Sequence, residues 1–434
     1  MIRIERLRSG AGGLLMGNIA ARVGALGALA LGTLIVARVG GPSAVGLYAL
    51  LRVVPSLLGV MISCGLPGAV AYFLAGPTRD DRSLALTIVG VALAGGAAGT
   101  LIWTACAPLL RSALFPELSI GLVILAGVTV LTQLSVATVK SCSQGSGDML
   151  GANAVIVNEE LMFLPAYGLL ALAGERGYTA IVVALLAADL ITSALAWARV
   201  ARRGFFARAR RPSLLLARRI ASYGWRAQVG GVVTLLNLRL DFILLNIMAG
   251  PAVLGIYAIA SKFAELLKVP GMALTYVLYP EYARMDRREA AERARRLIPR
   301  AGCAIALACV PLLLTAGFVI PALYGDAFHA AVTPMRIIVV GLALEGVAGV
   351  ISGYLYGTGR PGLNSWAMGA GLALTVVLDL ALIPPFGATG AALASATAYL
   401  TSTLALAWFF WTDERSRAGG AWRTTSLSEA DVRG

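Results

Sequence analysis

The stretch Gly41-Pro42-Ser43-Ala44-Val45-Gly46-Leu47-Tyr48-Ala49 returns in the second half of the chain as Gly250-Pro251-Ala252-Val253-Leu254-Gly255-Ile256-Tyr257-Ala258. Each copy sits between two long apolar runs. About 20 consecutive apolar residues cross a bilayer as a helix, and a helix satisfies every backbone polar group where no water reaches. Gly-Pro at the head of each copy marks a tight turn. The runs 10–74 and 220–282 therefore each read as two spans. Working outward from these turns predicts spans at 10–37, 44–74, 84–109, 118–141, 152–173, 178–198, 220–248, 252–282, 301–323, 332–357, 363–383 and 388–411. The expected fold class is an all-α polytopic membrane protein of about 12 transmembrane helices.

A second echo supports the repeat. Gln144-Gly145-Ser146-Gly147 matches Tyr356-Gly357-Thr358-Gly359, each at the turn from a fourth to a fifth span. The chain then divides into an N-terminal six-helix lobe (1–200), a basic linker (201–218), a C-terminal six-helix lobe (219–411) and a tail (412–434). An even number of spans gives the two lobes the same orientation, a known transporter plan with the substrate site between the halves.

Composition agrees. Of 434 residues, 58% are hydrophobic and 13% are charged, roughly half the charged share of a soluble domain. The net charge of +14 is not spread evenly. One side of the predicted spans carries Arg3, Arg6, Arg8, Arg79, Arg82, the clusters 199–219 and 284–300, Arg360 and the tail arginines, while the other carries Arg38, Arg111 and Arg176. That asymmetry is the positive-inside signal and predicts cytoplasmic termini. It also accounts for the basic charge without nucleic acid, which is not expected as a partner. The linker Arg202-Arg203-Gly204-Phe205-Phe206-Ala207-Arg208 reads as a surface segment held by anionic membrane lipids. The mixed-charge stretch 286–296 is predicted to continue the eighth helix beyond the membrane, with pairs such as Glu289–Arg293 along it.

Two residue classes are set aside. Cys64, Cys106, Cys142, Cys303 and Cys309 form no C-x-x-C pair and read as small hydrophobes. His329, the single histidine, has Asp326 as its one acidic loop neighbour, too few ligands for a metal. No metal, cofactor or catalytic residue is expected.

Val36-Ala37-Arg38-x-Gly40-Gly41-Pro42-x3-Gly46-x-Tyr48 resembles the opening of the polysaccharide transporters, the oligosaccharide-lipid flippases. So do Arg239-Leu240-Asp241 followed by Gly255-x-Tyr257-Ala258-x-Ala260, Leu278-Tyr279-Pro280, and Tyr356-Gly357-x-Gly359-Arg360-Pro361. The order of these pieces is more specific than any one of them. Such proteins belong with multidrug exporters and the lipid II flippase in the multidrug/oligosaccharidyl-lipid/polysaccharide exporter superfamily. The resemblance implies two six-helix lobes around a central cavity, alternating access, and a bacterial inner-membrane location. It also implies a lipid-linked anionic oligosaccharide as cargo.

Ionisable groups inside a bilayer are costly and are functional candidates by default. At 1.5 Å per residue, Arg22 lies about 18 Å into the first span, and Arg52 and Lys262 lie about 12–15 Å from the outer face. Arg239 falls in the outer half of the seventh span. The resemblance implies that cations of the first two spans of each lobe face the cavity, where Arg22, Arg52, Arg239 and Lys262 would meet a diphosphate. Guanidinium groups suit that task through paired, charge-assisted hydrogen bonds. Internal pairing is the competing reading: Arg239 with Asp241, and Lys262 or Lys268 with Glu265. Arg22 and Arg52 have no acid within one helical turn. Among the membrane acids Glu159, Glu160, Asp189, Asp241, Glu265, Glu345 and Asp379, the two chosen as binders of a coupling H+ or Na+ are Asp241 and Asp379.

The leading expectation is a flippase moving a polyprenyl-diphosphate-linked oligosaccharide from the cytoplasmic to the outer leaflet for cell-surface polysaccharide export. An ion-coupled drug exporter is the nearest rival; a cationic ligand calls for acids and aromatics, and the first two spans hold no acid. A membrane glycan polymerase is the rival from another class. The short outer loops and the lack of a nucleophile–base pair argue against an enzyme.

Overall fold

The computed structural model describes residues 2–76 and 81–418, with the side chains of 2–16, 226–227, 229–231, 233–234, 237–238, 264 and 413–418 outside the description. The predicted tail lies beyond the described residues from 419 onward. Among the described residues every regular element is helical: α1 (Ile2–Ile62), α2 (Leu66–Ala75), α3 (Leu84–Ala113), α4 (Ile120–Gly145), α5 (Met149–Leu161), α6 (Phe163–Leu172), α7 (Tyr178–Arg202), α8 (Leu214–Ala249), α9 (Pro251–Tyr282), α10 (Arg287–Tyr324), α11 (Val332–Gly341), α12 (Glu345–Gly357), α13 (Pro361–Phe386) and α14 (Ala388–Ala418).

The apolar part of α1, Gly17–Ile62, has 46 residues, which at 1.5 Å per residue is about twice a bilayer core. It breaks at Gly41, whose φ of 68° and ψ of −165° leave the helical region. Gly250 does the same between α8 and α9, with φ 86° and ψ 169°. Positive φ without strain needs glycine, and the following Pro42 or Pro251 starts the next helix with its φ preset. The second echo repeats the pattern, with Gly147 at φ 81° and Gly359 at φ 76°. Each sequence repeat is thus a repeat of backbone geometry.

Eight helices among the described residues are long and apolar enough to cross a membrane, and α11 with α12, bent by 42°, makes one more. Gly41 divides α1 into two, and α8 and α9 fill the seventh and eighth places, so the helices follow the expected order of twelve spans. Large apolar side chains face outward where a soluble protein would bury them, among them Leu172, Leu314, Phe318, Trp366 and Trp408. The chain is a multi-pass membrane protein.

The charged stretch 286–296 departs from expectation. The chain turns after Tyr282, and the Asp286 carboxylate accepts from Arg288 N to cap α10, so these residues open the ninth span and do not prolong the eighth. Asp286 with Glu289 three residues on is a start signal of the capping-box kind, and capping overrode the helical charge spacing. Arg293 reaches back to Glu281 at 2.5 Å, not to Glu289.

By packing, the chain forms two compact units, Met1–Gly255 and Ile256–Gly434. In the first, α4 lies against α1, α2, α3, α5 and α7. Buried Trp103 on α3 donates to Val123 O at 2.7 Å and covers Gly127, where a Cβ would strike the indole. The span that begins at Pro42 breaks again at Cys64 and Gly65, both at positive φ. α8 packs on this break: Gln228 donates to Val60 O, and the Gly224 backbone presses on Gly65. Helix ends inside a membrane must have their carbonyls satisfied, and Gln228 does so here.

In the second unit α13 and α14 pair along their length, and α12 packs on α10 and α14. Its aromatic core sets Tyr354 edge-on to Phe410 at 5.0 Å and to Tyr282 at 6.1 Å.

Candidate functional site

Polar side chains gather inside the first unit, on α1, α4, α5 and α7. Arg52 donates from Nη2 to Glu160 Oε1 at 2.5 Å and from Nη1 to Tyr48 Oη at 3.3 Å. Arg52 and Tyr48 share a face because they are four residues apart on one helix. Both partners of the ion pair are largely shielded, with 25% and 15% of their side chains exposed. The Tyr48 ring leans on Phe163 at 4.8 Å, and Phe163 stacks on Tyr167 at 5.4 Å. Neighbouring Glu159 pairs with Lys140 of α4 at 3.2 Å. Asp189 of α7 is buried and accepts from Thr132 Oγ1 at 3.1 Å. Glu159 and Asp189 both lie within electrostatic reach of Arg52.

A separate hydrogen-bonded chain joins α1 to α5. Arg22 Nε donates to Asn18 Oδ1 at 3.0 Å, and Asn18 Nδ2 donates to Asn153 Oδ1 at 3.0 Å. Asn153 and Glu160 are seven residues apart on α5, so Arg22 and Arg52 both connect to one face of that helix about 10 Å apart. Their surroundings differ. Arg52 is tied to a carboxylate, whereas Arg22 is exposed, bonds to a neutral amide, and forms no ion pair among the described residues.

The other predicted residues are distributed as follows. Arg239 is half-buried on α8, its guanidinium 5.3 Å from the Phe242 ring centre. Asp241, two residues on, is buried and accepts from Phe242 N at 2.9 Å. Lys262 is half-buried on α9, and Asp379 is fully buried on α13, both in the second unit. Lys268, expected beside Glu265, sets its Nζ 3.9 Å over the Tyr399 ring. The structure thus brings the contacts of Arg22 and Arg52 to one face of α5 and places Arg239 with Asp241 on a single helix.

Arg52 has no acid nearby in sequence, and its ion-pair partner, Glu160, lies 108 positions away. The signal was present as Glu159-Glu160, two adjacent acids inside an apolar span, where each requires a partner.

Comparisons with known proteins agree with this architecture. A family described as polysaccharide biosynthesis protein matches residues 35–333. No curated protein sequence matches the chain. Among solved structures, the lipid II flippase MurJ in an inward closed conformation superposes with a TM-score of 0.72 at 14% identity, covering 91% of this chain and 86% of MurJ. An inward-facing multidrug resistance transporter of the MATE family gives 0.69 at 16% identity, covering 96% and 99%. A MOP-superfamily transporter from Pyrococcus furiosus, described as having a binding pocket of reverse polarity, gives 0.65 at 18% identity, covering 93% and 95%. The chain shares the all-α fold of these transporters.

Proposed function

The chain belongs to the polysaccharide biosynthesis protein family, and from that premise we propose that it is a flippase for a polyprenyl-diphosphate-linked oligosaccharide. It would turn this lipid from the cytoplasmic to the outer leaflet by alternating access, in a bacterial inner membrane with both termini cytoplasmic. The likeness to flippases and exporters favours transport over enzyme chemistry. The observation that carries the anionic cargo is Arg22, an exposed guanidinium inside an apolar helix that donates to the neutral amide of Asn18. A membrane-embedded cation without a carboxylate is poised for a phosphoryl oxygen.

Arg52 has a different part in this reading. Its guanidinium must exchange Glu160 for phosphate, so it engages cargo after Arg22 does. Arg239 and Lys262 are the proposed further contacts. Asp241 and Asp379, both buried, are the proposed binders of the coupling proton or sodium ion.

A drug-exporter reading is favoured by one observation. Glu159, Glu160 and Asp189 converge near Tyr48 and Phe163, a combination suited to a cation. Removal of the protein from its native cell separates the two. Lipid-linked oligosaccharide should accumulate in the cytoplasmic leaflet and be cleared by wild type but not by R22A/R52A. Normal leaflet distribution with altered sensitivity to cationic toxins would establish the exporter instead.

A further inference from the structure

A polar cavity lies at the arginine-rich end of the first unit, where the spans meet their connecting segments. It measures about 490 Å³ and is walled by the segment entering α3, the α4–α5 turn and the linker after α7. The linker is not a loose surface segment. Phe205 packs against the core of the unit, Gly204 turns the chain at φ 81°, and Arg210 N donates to Arg82 O at 2.7 Å. Ser213 N then donates to Thr87 Oγ1 at 2.9 Å as α8 begins.

Floor and rim differ in chemistry. The floor is apolar, made by buried Leu74, Leu84 and Val200 together with Phe205. The rim carries Arg82, Arg203 and Arg208 against Asp81 and Asp148. Both acids are already engaged. Asp148 accepts from Arg199 at 2.7 and 3.0 Å and meets Arg203 at 3.2 Å. Asp81 accepts from Ser83 N at 2.8 Å and from its hydroxyl at 2.7 Å. Arg82 and Arg208 therefore remain as rim cations that form no ion pair among the described residues. Beside them Trp197, Phe205 and Phe206 form a ring cluster with centroids 5.0 to 6.4 Å apart. Such aromatics settle at headgroup depth.

We infer that this cavity binds the phosphoryl head of an anionic membrane lipid. Arg82 and Arg208 take the phosphate oxygens through charge-assisted hydrogen bonds, the contact guanidinium makes best. The first segment of hydrocarbon rests on Leu74, Leu84 and Phe205. A free phosphate would leave that floor uncovered, which is why a lipid is the fitting source of the anion. The site is separate from Arg22 and Arg52 and stands whether or not the cargo is an oligosaccharide lipid.

Native mass spectrometry of the full chain in detergent tests this, with phosphatidylglycerol and phosphatidylcholine of equal acyl length as probes. Wild type should retain phosphatidylglycerol in excess, and R82A/R208A should lose that preference by about fivefold per arginine. The unfolding midpoint of the double variant in lipid-free detergent should match wild type. R208Q alone, on an exposed turn, serves if the double variant fails to fold, and should lose part of the preference. Equal retention of both lipids by wild type, or undiminished preference in the variants, overturns the site. Inorganic diphosphate should displace phosphatidylglycerol. Arginine-dependent binding of diphosphate without any preference for phosphatidylglycerol would make the occupant a free phosphate and overturn the lipid assignment.

Discussion

The two copies of the repeated turn, 41–49 and 250–258, share a backbone and differ in what they serve. Gly41 and Gly250 have matching conformations, and both Tyr48 and Tyr257 are buried. The copies also meet reciprocally: a Cβ on Gly46 would strike Pro251 O, and one on Gly255 would strike Pro42 O. Yet Tyr48 supports the cation Arg52, whereas Tyr257 shares a hydrogen bond of 2.9 Å with the neutral Ser395. The scaffold is held in common while the interior chemistry has diverged. Close helix approach through small residues explains the first half of that statement; the cost of burying charge explains why a second charge accompanies Arg52.

The largest effect should come from breaking the shared part. Gly46→Leu or Gly255→Leu places a side chain inside the opposing backbone. Each should lower stability by about 2–3 kcal/mol or more, read as a fall in the unfolding midpoint in detergent. The double variant should fall by less than the sum, because one contact is lost only once. Strict additivity would show that the copies do not support each other.

Next comes the chemistry particular to the first copy. Glu160→Gln strands Arg52 as a shielded cation and should cost about 2–4 kcal/mol, while R52M/E160L should recover most of that loss. The second copy should be milder: Tyr257→Phe removes the neutral hydrogen bond to Ser395, worth about 1 kcal/mol. If Y257F proves as damaging as E160Q, the proposed division of labour is wrong.

The smallest effect lies outside the membrane. The hydrogen bond from Arg199 to Asp148 holds that carboxyl below the usual carboxylate range, against the opposing effect of burial. A depressed folded pKa contributes stability that is present above the unfolded pKa and is lost as pH falls through the folded value. Asp148→Asn should therefore be less stable than wild type at pH 6, and the gap should close on acidification below about pH 4. A gap that is constant with pH would mean the pair contributes through shape alone.

Helix number and order were legible because apolar length and Gly-Pro punctuation are local signals. The cap at Asp286 was local as well, but it competed with a charge spacing that also suits a helix interior. The partner of Arg52 could not be read from its neighbours, since Glu160 becomes adjacent only when α1 packs on α5. The linker was legible as basic and aromatic, but not as a folded wall, because its order depends on Phe205 finding the core and Arg210 finding Arg82.

The central claim is that Arg22, free of any carboxylate partner among the described residues, meets an anionic cargo. The direct measurement is flipping of a polyprenyl-diphosphate-linked sugar in proteoliposomes by wild type, Arg22→Lys and Arg22→Ala. Arg22→Ala should flip at least about tenfold more slowly at an unchanged unfolding midpoint, with Arg22→Lys between the two. Wild-type flipping by Arg22→Ala would contradict the account.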